Sequence, residues 1–204
     1  MKSIKRLILL LTLFLWLPFN SLAEDKNGLN TSAINIAYLH DYVDQQQLLV
    51  DSQVIFLLSQ EMKDALHHEI PLTFDIEFKL VEKTSLLGIT YHRERKHIEY
   101  QSKIYFLGFN NQYFISNTRS TSLQVFNNLN DALETFGTIQ SFNITNLAEL
   151  HPSAIYNLEF RVAFNRWELP TPLIINSLID TDWYLSSGWK SIEIQSPLTQ
   201  IIAP

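Results

Sequence analysis

Residues 72–80 read Leu-Thr-Phe-Asp-Ile-Glu-Phe-Lys-Leu. Apolar and polar side chains alternate through this stretch without a break. A period of two puts Leu72, Phe74, Ile76, Phe78 and Leu80 on one face of a strand and Thr73, Asp75, Glu77 and Lys79 on the other. A strand with one apolar and one polar face belongs in an antiparallel sheet. The pattern returns between Ala154 and Arg166. There Tyr156, Leu158, Phe160, Val162 and Phe164 oppose Asn157, Glu159 and Arg161. These two runs set the expectation of a β-rich chain.

Working outward, Ser59–His68 has the spacing of a short helix, with Ser59 as its cap and Met62, Leu66 and Glu69 on one side. Residues 33–39 suit an opening strand, and 47–56 suit a strand or a helix. Gly88–Arg95 and Ile98–Leu107 read as a strand pair about a turn, followed by short strands at 112–117 and 120–126. Asn128 with Asp131 three positions on marks a second helix start. Gly137 fits the position just past its end. A strand over 138–144 follows. Leu173–Leu178 reads as a short helix or an apolar flap, and residues 183–186 and 189–194 as a final strand or bent strand pair. Parallel α/β folds need a crossover helix between most strands, and the chain has too few. The expected fold is mainly β (α+β): an antiparallel sheet, a sandwich or a partial barrel, with two or three short helices.

The chain has 204 residues, 46% hydrophobic and 18% charged, and no cysteine. That size supports a core without disulfides, and the composition excludes a thiol nucleophile and Cys-ligated metal. Residues 1–23 differ from the rest. Lys2, Lys5 and Arg6 precede the apolar run Leu7–Leu17, and Ser21-Leu22-Ala23 has small residues where a signal peptidase cuts. Residues 1–23 are therefore expected to be a signal peptide, with an uncleaved anchor as the alternative. The run is shorter than the ~20 residues of a membrane span. Residues 24–32 read as a flexible leader and 33–204 as a single β-rich domain. Removal of the signal peptide's three cations leaves 12 Lys plus Arg against 21 Asp plus Glu, a charge of −9. That balance argues against nucleic acid and anionic lipid as partners. The expected location is the periplasm of a Gram-negative cell, or its inner membrane with the domain facing the periplasm.

Five blocks in order carry a resemblance: HHEIPLTFDIEFKL (67–80), HIEYQSKIYFL (97–107), FNNLNDALETFGTI (126–139), LEFRVAFNRWELPTPLI (158–174) and DWYLSSGW (182–189). In this order they resemble the DUF4390 family of exported bacterial proteins. The resemblance covers most of the chain after the leader and implies a β-rich envelope domain with no activity to carry over. Many members would have Gly before the Ile-Pro-Leu of residues 70–72. Here the residue is Glu69, which requires a different helix ending.

No motif points to catalysis, a metal or a cofactor. His67 and His68 are adjacent, a spacing poorly suited to shared ligation on a helix. His92 and His97, with Glu94 or Glu99, are expected to face each other across a hairpin, yet match no metal-binding spacing. His40 with Asp41 and Asp44 is weaker. The basic cluster Arg93, Arg95 and Lys96 reads as a solvated hairpin edge. Asp75 and Glu77 share a face, as paired glycosidase carboxylates do, but alternation alone accounts for them as solvent-facing residues. Ser186-Ser187-Gly188 lacks the strand–elbow–helix setting of a nucleophile. The most concentrated feature is C-terminal: Arg161, Arg166, Trp167, Glu168, Leu169, Pro170, Trp183, Tyr184 and Trp189. Arginine and tryptophan are favoured where a partner is gripped, although a buried core uses the same residues.

The leading expectation is a noncatalytic envelope domain that binds a protein or peptide. One alternative is a carrier of lipid or another apolar ligand, with some of the 13 Phe and 8 Tyr lining a cavity. The other is an envelope hydrolase.

Overall fold

A computed structural model describes residues 32–86, 89–151 and 154–194. The signal-like segment 1–23 and the leader through residue 31 lie outside the described residues, as do residues 87–88, 152–153 and 195–204.

Alternation at 72–80 does form the centre of the molecule. Strands β1 (Ala33–Asp44) and β2 (Gln47–Leu57) are followed by helix α1 (Gln60–His67) and then by β3 (Leu72–Leu86), β4 (Ile89–Leu107), β5 (Gln112–Asn117) and β6 (Ser120–Phe126). Helix α2 (Leu129–Gly137), β7 (Thr138–Asn146), β8 (Ile155–Phe164), helix α3 (Thr171–Ser177) and β9 (Lys190–Glu193) complete the order. The strands make a three-stranded sheet, β1-β2-β7, and a six-stranded sheet, β6-β5-β4-β3-β8-β9. Every strand pair is antiparallel.

The fold is mainly β, and of the expected architectures it is two sheets packed face to face. β3 and β8 pair with Phe74 opposite Phe164, Ile76 opposite Val162 and Phe78 opposite Phe160, so both apolar sets share the inner face. Phe78 stacks on Phe160 at 4.4 Å and on Phe142 of β7 at 4.5 Å. Phe56 of β2 meets Phe74 edge-on at 5.1 Å. These contacts join the sheets. At their edges, Lys190 Nζ of β9 donates to the carbonyl of Ile36 at 3.0 Å, where β1 is irregular between Ile36 and Tyr38.

Both helix starts follow the sequence. Ser59 Oγ accepts the Met62 N–H at 3.2 Å, and Asn128 Oδ1 accepts the Asp131 N–H at 2.8 Å. The end of α1 explains Glu69. Its φ is 62°, a left-handed conformation that favours glycine. The N–H groups of Ile70 and Glu69 donate back to the carbonyls of Ala65 and Leu66, the paired bonds of a Schellman ending. Glu69 Oε1 also accepts the Gly108 N–H at 2.8 Å, which offsets the strain of a side chain at that position.

Three expectations need correction. Gly88–Arg95 and Ile98–Leu107 are not two strands about a turn at 96–97. They are one 19-residue strand, β4, which pairs with β3 from Ile89 to Ile104. Residues 89–97 are exposed on both faces, so they show no alternation. Gly137 does not lie past the end of α2. It is the last helical residue, and a Cβ there would come within 1.9 Å of the Val54 carbonyl oxygen, so close packing on β2 requires glycine. Residues 183–186 form no strand. Trp183 ends a 3-10 turn, Thr181–Trp183, and Ser186 makes one isolated bridge to Ala163.

Candidate functional site

The nine C-terminal residues do not form one surface. Three environments divide them. Trp183 is 5% exposed and packs on Phe164, with ring centres 5.8 Å apart, and Leu169 is buried as well. Both belong to the core. Glu168 turns away to Lys103, at 3.2 Å from its Nζ. Pro170 is exposed at the start of α3, where its carbonyl accepts the Leu173 and Ile174 N–H groups.

Arg161 and Trp189 lie on the outer face of the six-stranded sheet. Pairing of β3 with β8 sets Arg161 opposite Glu77, and Arg161 Nε donates to Glu77 Oε1 at 3.0 Å while Nη2 reaches the same oxygen. The Trp189 ring covers this pair, with the Arg161 guanidinium and the Lys79 ammonium each 4.7 Å from a ring centre. Glu77 is only 7% exposed, which corrects its expected place in solvent. His97 stands beside it, with Nε2 3.5 Å from Glu77 Oε2 and Nδ1 3.8 Å from Glu94 Oε1. Both ring nitrogens thus face carboxylates, and neither is aimed at a hydroxyl nucleophile. Asp75 is not a catalytic partner of Glu77 either. Its Oδ1 accepts Gln101 Nε2 at 3.0 Å and Asn165 Nδ2 at 3.1 Å.

Arg166, Trp167 and Tyr184 meet at the end of β8. A β-strand cannot continue past Phe164, because Asn165 Oδ1 accepts the Trp167 N–H at 3.1 Å and starts a 3-10 turn, Arg166–Glu168. This turn sets the Arg166 guanidinium 4.2 Å from the centre of the Tyr184 ring and 5.2 Å from that of Trp167. Trp167 is 65% exposed, so its ring contributes to a surface and little to the core. Together with Asp75, Phe164, Asn165 and Ser186, these side chains line an open cleft of about 340 Å³. Arg166 has no carboxylate partner among the described residues. Its Nη1 is buried and has no hydrogen-bond acceptor. Sequence reasoning missed Asp75 and Asn165 at this cleft, since their contact spans 90 residues. It also missed a more apolar cleft of about 460 Å³ between α1 and α3, floored by Ala65, Ile70, Leu173 and Trp183 and rimmed by Glu61, Asp64 and Asp180.

The histidines are placed separately. His67 Nε2 lies 2.8 Å from the Tyr113 hydroxyl, and His68 Nδ1 donates to the Asp64 carbonyl at 2.7 Å. His40 stacks on Tyr42. His92 and His97 lie five residues apart along β4, paired with Lys83 and Lys79, so the expected hairpin facing is absent. Among the described residues no group of three or more His, Asp or Glu is placed to hold a metal ion. Ser186-Ser187-Gly188 precedes no helix, and Ser187 Oγ donates to the Gly188 carbonyl. Two tyrosines are perturbed. Burial pushes Tyr100 up to about 12, against a smaller downward pull from Arg119, and burial also raises Tyr113. Both touch the packed aromatic layer, Tyr100 through Phe142 and Tyr113 through Phe106. Among the described residues no helix is long and apolar enough to cross a membrane.

A family model described as a domain of unknown function, DUF4390, matches residues 31–193. No curated protein and no solved structure matches the chain.

Proposed function

This chain belongs to the DUF4390 family, and from that premise we propose that it is a noncatalytic domain of the bacterial envelope that binds a protein or peptide partner. The observation that carries this reading is the Arg166–Trp167–Tyr184 cleft. It sets an arginine beside two exposed aromatic rings, with no acid paired to it among the described residues. Such residues grip a partner well, because each combines a large apolar area with a directional polar edge. The site is narrower than the sequence suggested. Arg166, Trp167 and Tyr184 belong to it, while Trp183 and Leu169 support it from the core. Delivery across the inner membrane is supported by the basic-then-apolar order of residues 2–17 and the small residues before Glu24.

Photo-crosslinking in the native host tests both parts. A benzophenone amino acid at position 167 or 184 is expected to trap one discrete partner in the envelope fraction. The same group at exposed Glu99, on the outer sheet face, is expected to trap none. Identical products from all three positions, or full-length chain recovered only from cytosol, would reject the proposal.

A second reading, an apolar-ligand carrier, is favoured by the cleft between α1 and α3. Its acidic rim of Glu61, Asp64 and Asp180 weighs against a lipid site there, and the cavity between the two sheets measures about 260 Å³ and is lined in part by Ser102, Thr135, Thr138 and Gln140. Mass spectrometry of the protein extracted under native conditions would favour a carrier if a lipid co-purified in equal amount.

A further inference from the structure

We propose that the Arg166 cleft binds a carboxylate carried by a peptide next to a large apolar side chain. This rests on the partner-binding reading above and names the chemistry of the partner.

Arginine offers its hydrogen bonds in the plane of the guanidinium, and carboxylate geometry matches two of them at once. Here Tyr184, at 4.2 Å, and Trp167, at 5.2 Å, flank Arg166 with aromatic rings and hold it against the cleft. The ring contacts direct the group without using its N–H donors. Nη1 is closed off from water and has no acceptor. A buried charged donor left in that state is costly, and an entering acceptor relieves it. Trp167 is the exposed wall of the cleft.

The neighbouring acids do not supply that acceptor. Glu168, two residues on, is 3.2 Å from Lys103 Nζ. Asp75 lines the cleft, but its Oδ1 accepts two side-chain amides, from Gln101 and Asn165, and it makes no ion pair with Arg166. The ligand must therefore bring its own negative charge. Asp75 and the chain's net charge of −6 disfavour a dianionic phosphate more than a single carboxylate. Beside the cation the lining is mixed: Phe164, Trp183 and Leu185 supply an apolar side, and Asp75, Asn165 and Ser186 a polar one. Space of about 340 Å³ accepts a side chain of leucine size together with its carboxylate, which a free inorganic anion would leave unfilled.

The test is NMR titration of the isotopically labelled protein recovered from cells that express the full chain. Three probes are used: N-acetyl-leucine, N-acetyl-leucinamide and inorganic phosphate. N-acetyl-leucine is expected to shift the Arg166 Nε–H and the Trp167 indole N–H together. The amide should bind about tenfold more weakly, a difference of about 1.4 kcal/mol. Phosphate should leave the indole unmoved. Arg166→Lys keeps the charge but loses the planar fork, and should also weaken the carboxylate about tenfold with an unchanged denaturation midpoint. Equal binding of acid and amide would overturn the proposal, as would a matching response to phosphate or silence from all three probes. If crosslinks from position 167 persist in any of those cases, the partner surface stands and the carboxylate alone is lost.

Discussion

The two faces of the six-stranded sheet come from the same alternating sequence, yet they are held by different physics. On the inner face, Phe74, Phe78, Phe160 and Phe164 are buried against β2, β7 and α2, and dispersion and apolar burial dominate. On the outer face, Glu77, Arg161, Lys79 and His97 form a charged row that alternation assigns to water. Only part of it is wet. Trp189, more than a hundred residues after Glu77, stacks on the Arg161 and Lys79 cations of the row, and its central carboxylate, Glu77, is only 7% exposed. The lesson is that a polar face is not by itself an exposed one. The cross-strand pair of Glu77 with Arg161 joins a shielded carboxylate to a guanidinium about one-third exposed, so its disruption should cost more than that of an ordinary surface pair.

Removal of an inner ring should do most damage. Phe78→Ala deletes two stacked contacts and opens a void at the join between the sheets, with an expected loss of about 3–5 kcal/mol in denaturant unfolding. A loss below about 1 kcal/mol would mean that the sheets do not pack through this ring. Arg161→Ala, on the outer face, leaves the shielded Glu77 carboxylate without its main partner. Arg161 is itself about one-third exposed, so the penalty should fall below that of a fully buried pair, at about 2 kcal/mol. An unchanged midpoint would show Glu77 to be effectively solvated.

A third experiment separates the faces by pH. Tyr100 lies on the inner side, stacked on Phe142 at 5.6 Å, and its folded pKa of about 12 exceeds the ordinary 10.0. Between those values the unfolded chain has released the phenolic proton and the folded one retains it. Unfolding therefore releases a proton, and stability falls as pH rises from 10 towards 12. The loss should reach about 2 kcal/mol near pH 12 and be absent below pH 10. Tyr100→Phe should flatten the stability profile over that window, and an identical slope in the variant would refute the assignment. The smallest effect is expected at the rim of the outer face. Lys79 pairs with Glu94 at 3.6 Å in partly exposed surroundings, and Lys79→Ala should change stability by about 0.5 kcal/mol or less. A much larger change would mean that the Trp189 stack on this side is the main support of the ring.

Legibility followed the kind of signal each segment carries. The apolar face was read correctly at 72–80 and 156–164, while Thr73 and Glu77 on the opposite face of β3 are buried as well. Caps were readable at Ser59 and Asn128, because a helix start is satisfied within three residues. The two-residue turn at Gln45 and Gln46, with φ of 45° and 63°, carries neither Gly nor Asn, so the extension of β1 to Asp44 had no turn signal to mark it. β4 was split for a different reason. Between residues 89 and 97 neither face is buried, and the polar run that results looks like a loop. At the candidate site, the aromatic and arginine composition was visible. Its division into a core Trp183, a covering Trp189 and an exposed Trp167 was not.

Local order was thus decided by the chain itself. Strand faces, helix caps and the mainly antiparallel class all follow from contacts between near neighbours in sequence, which composition and spacing record directly. Tertiary structure decided which sheet covers which, why Gly137 must lack a side chain, and that Arg166 faces a cleft while Arg161 meets Glu77. Those outcomes depend on groups brought together across roughly a hundred residues, where distance and shielding from water set the energy and no local pattern encodes either.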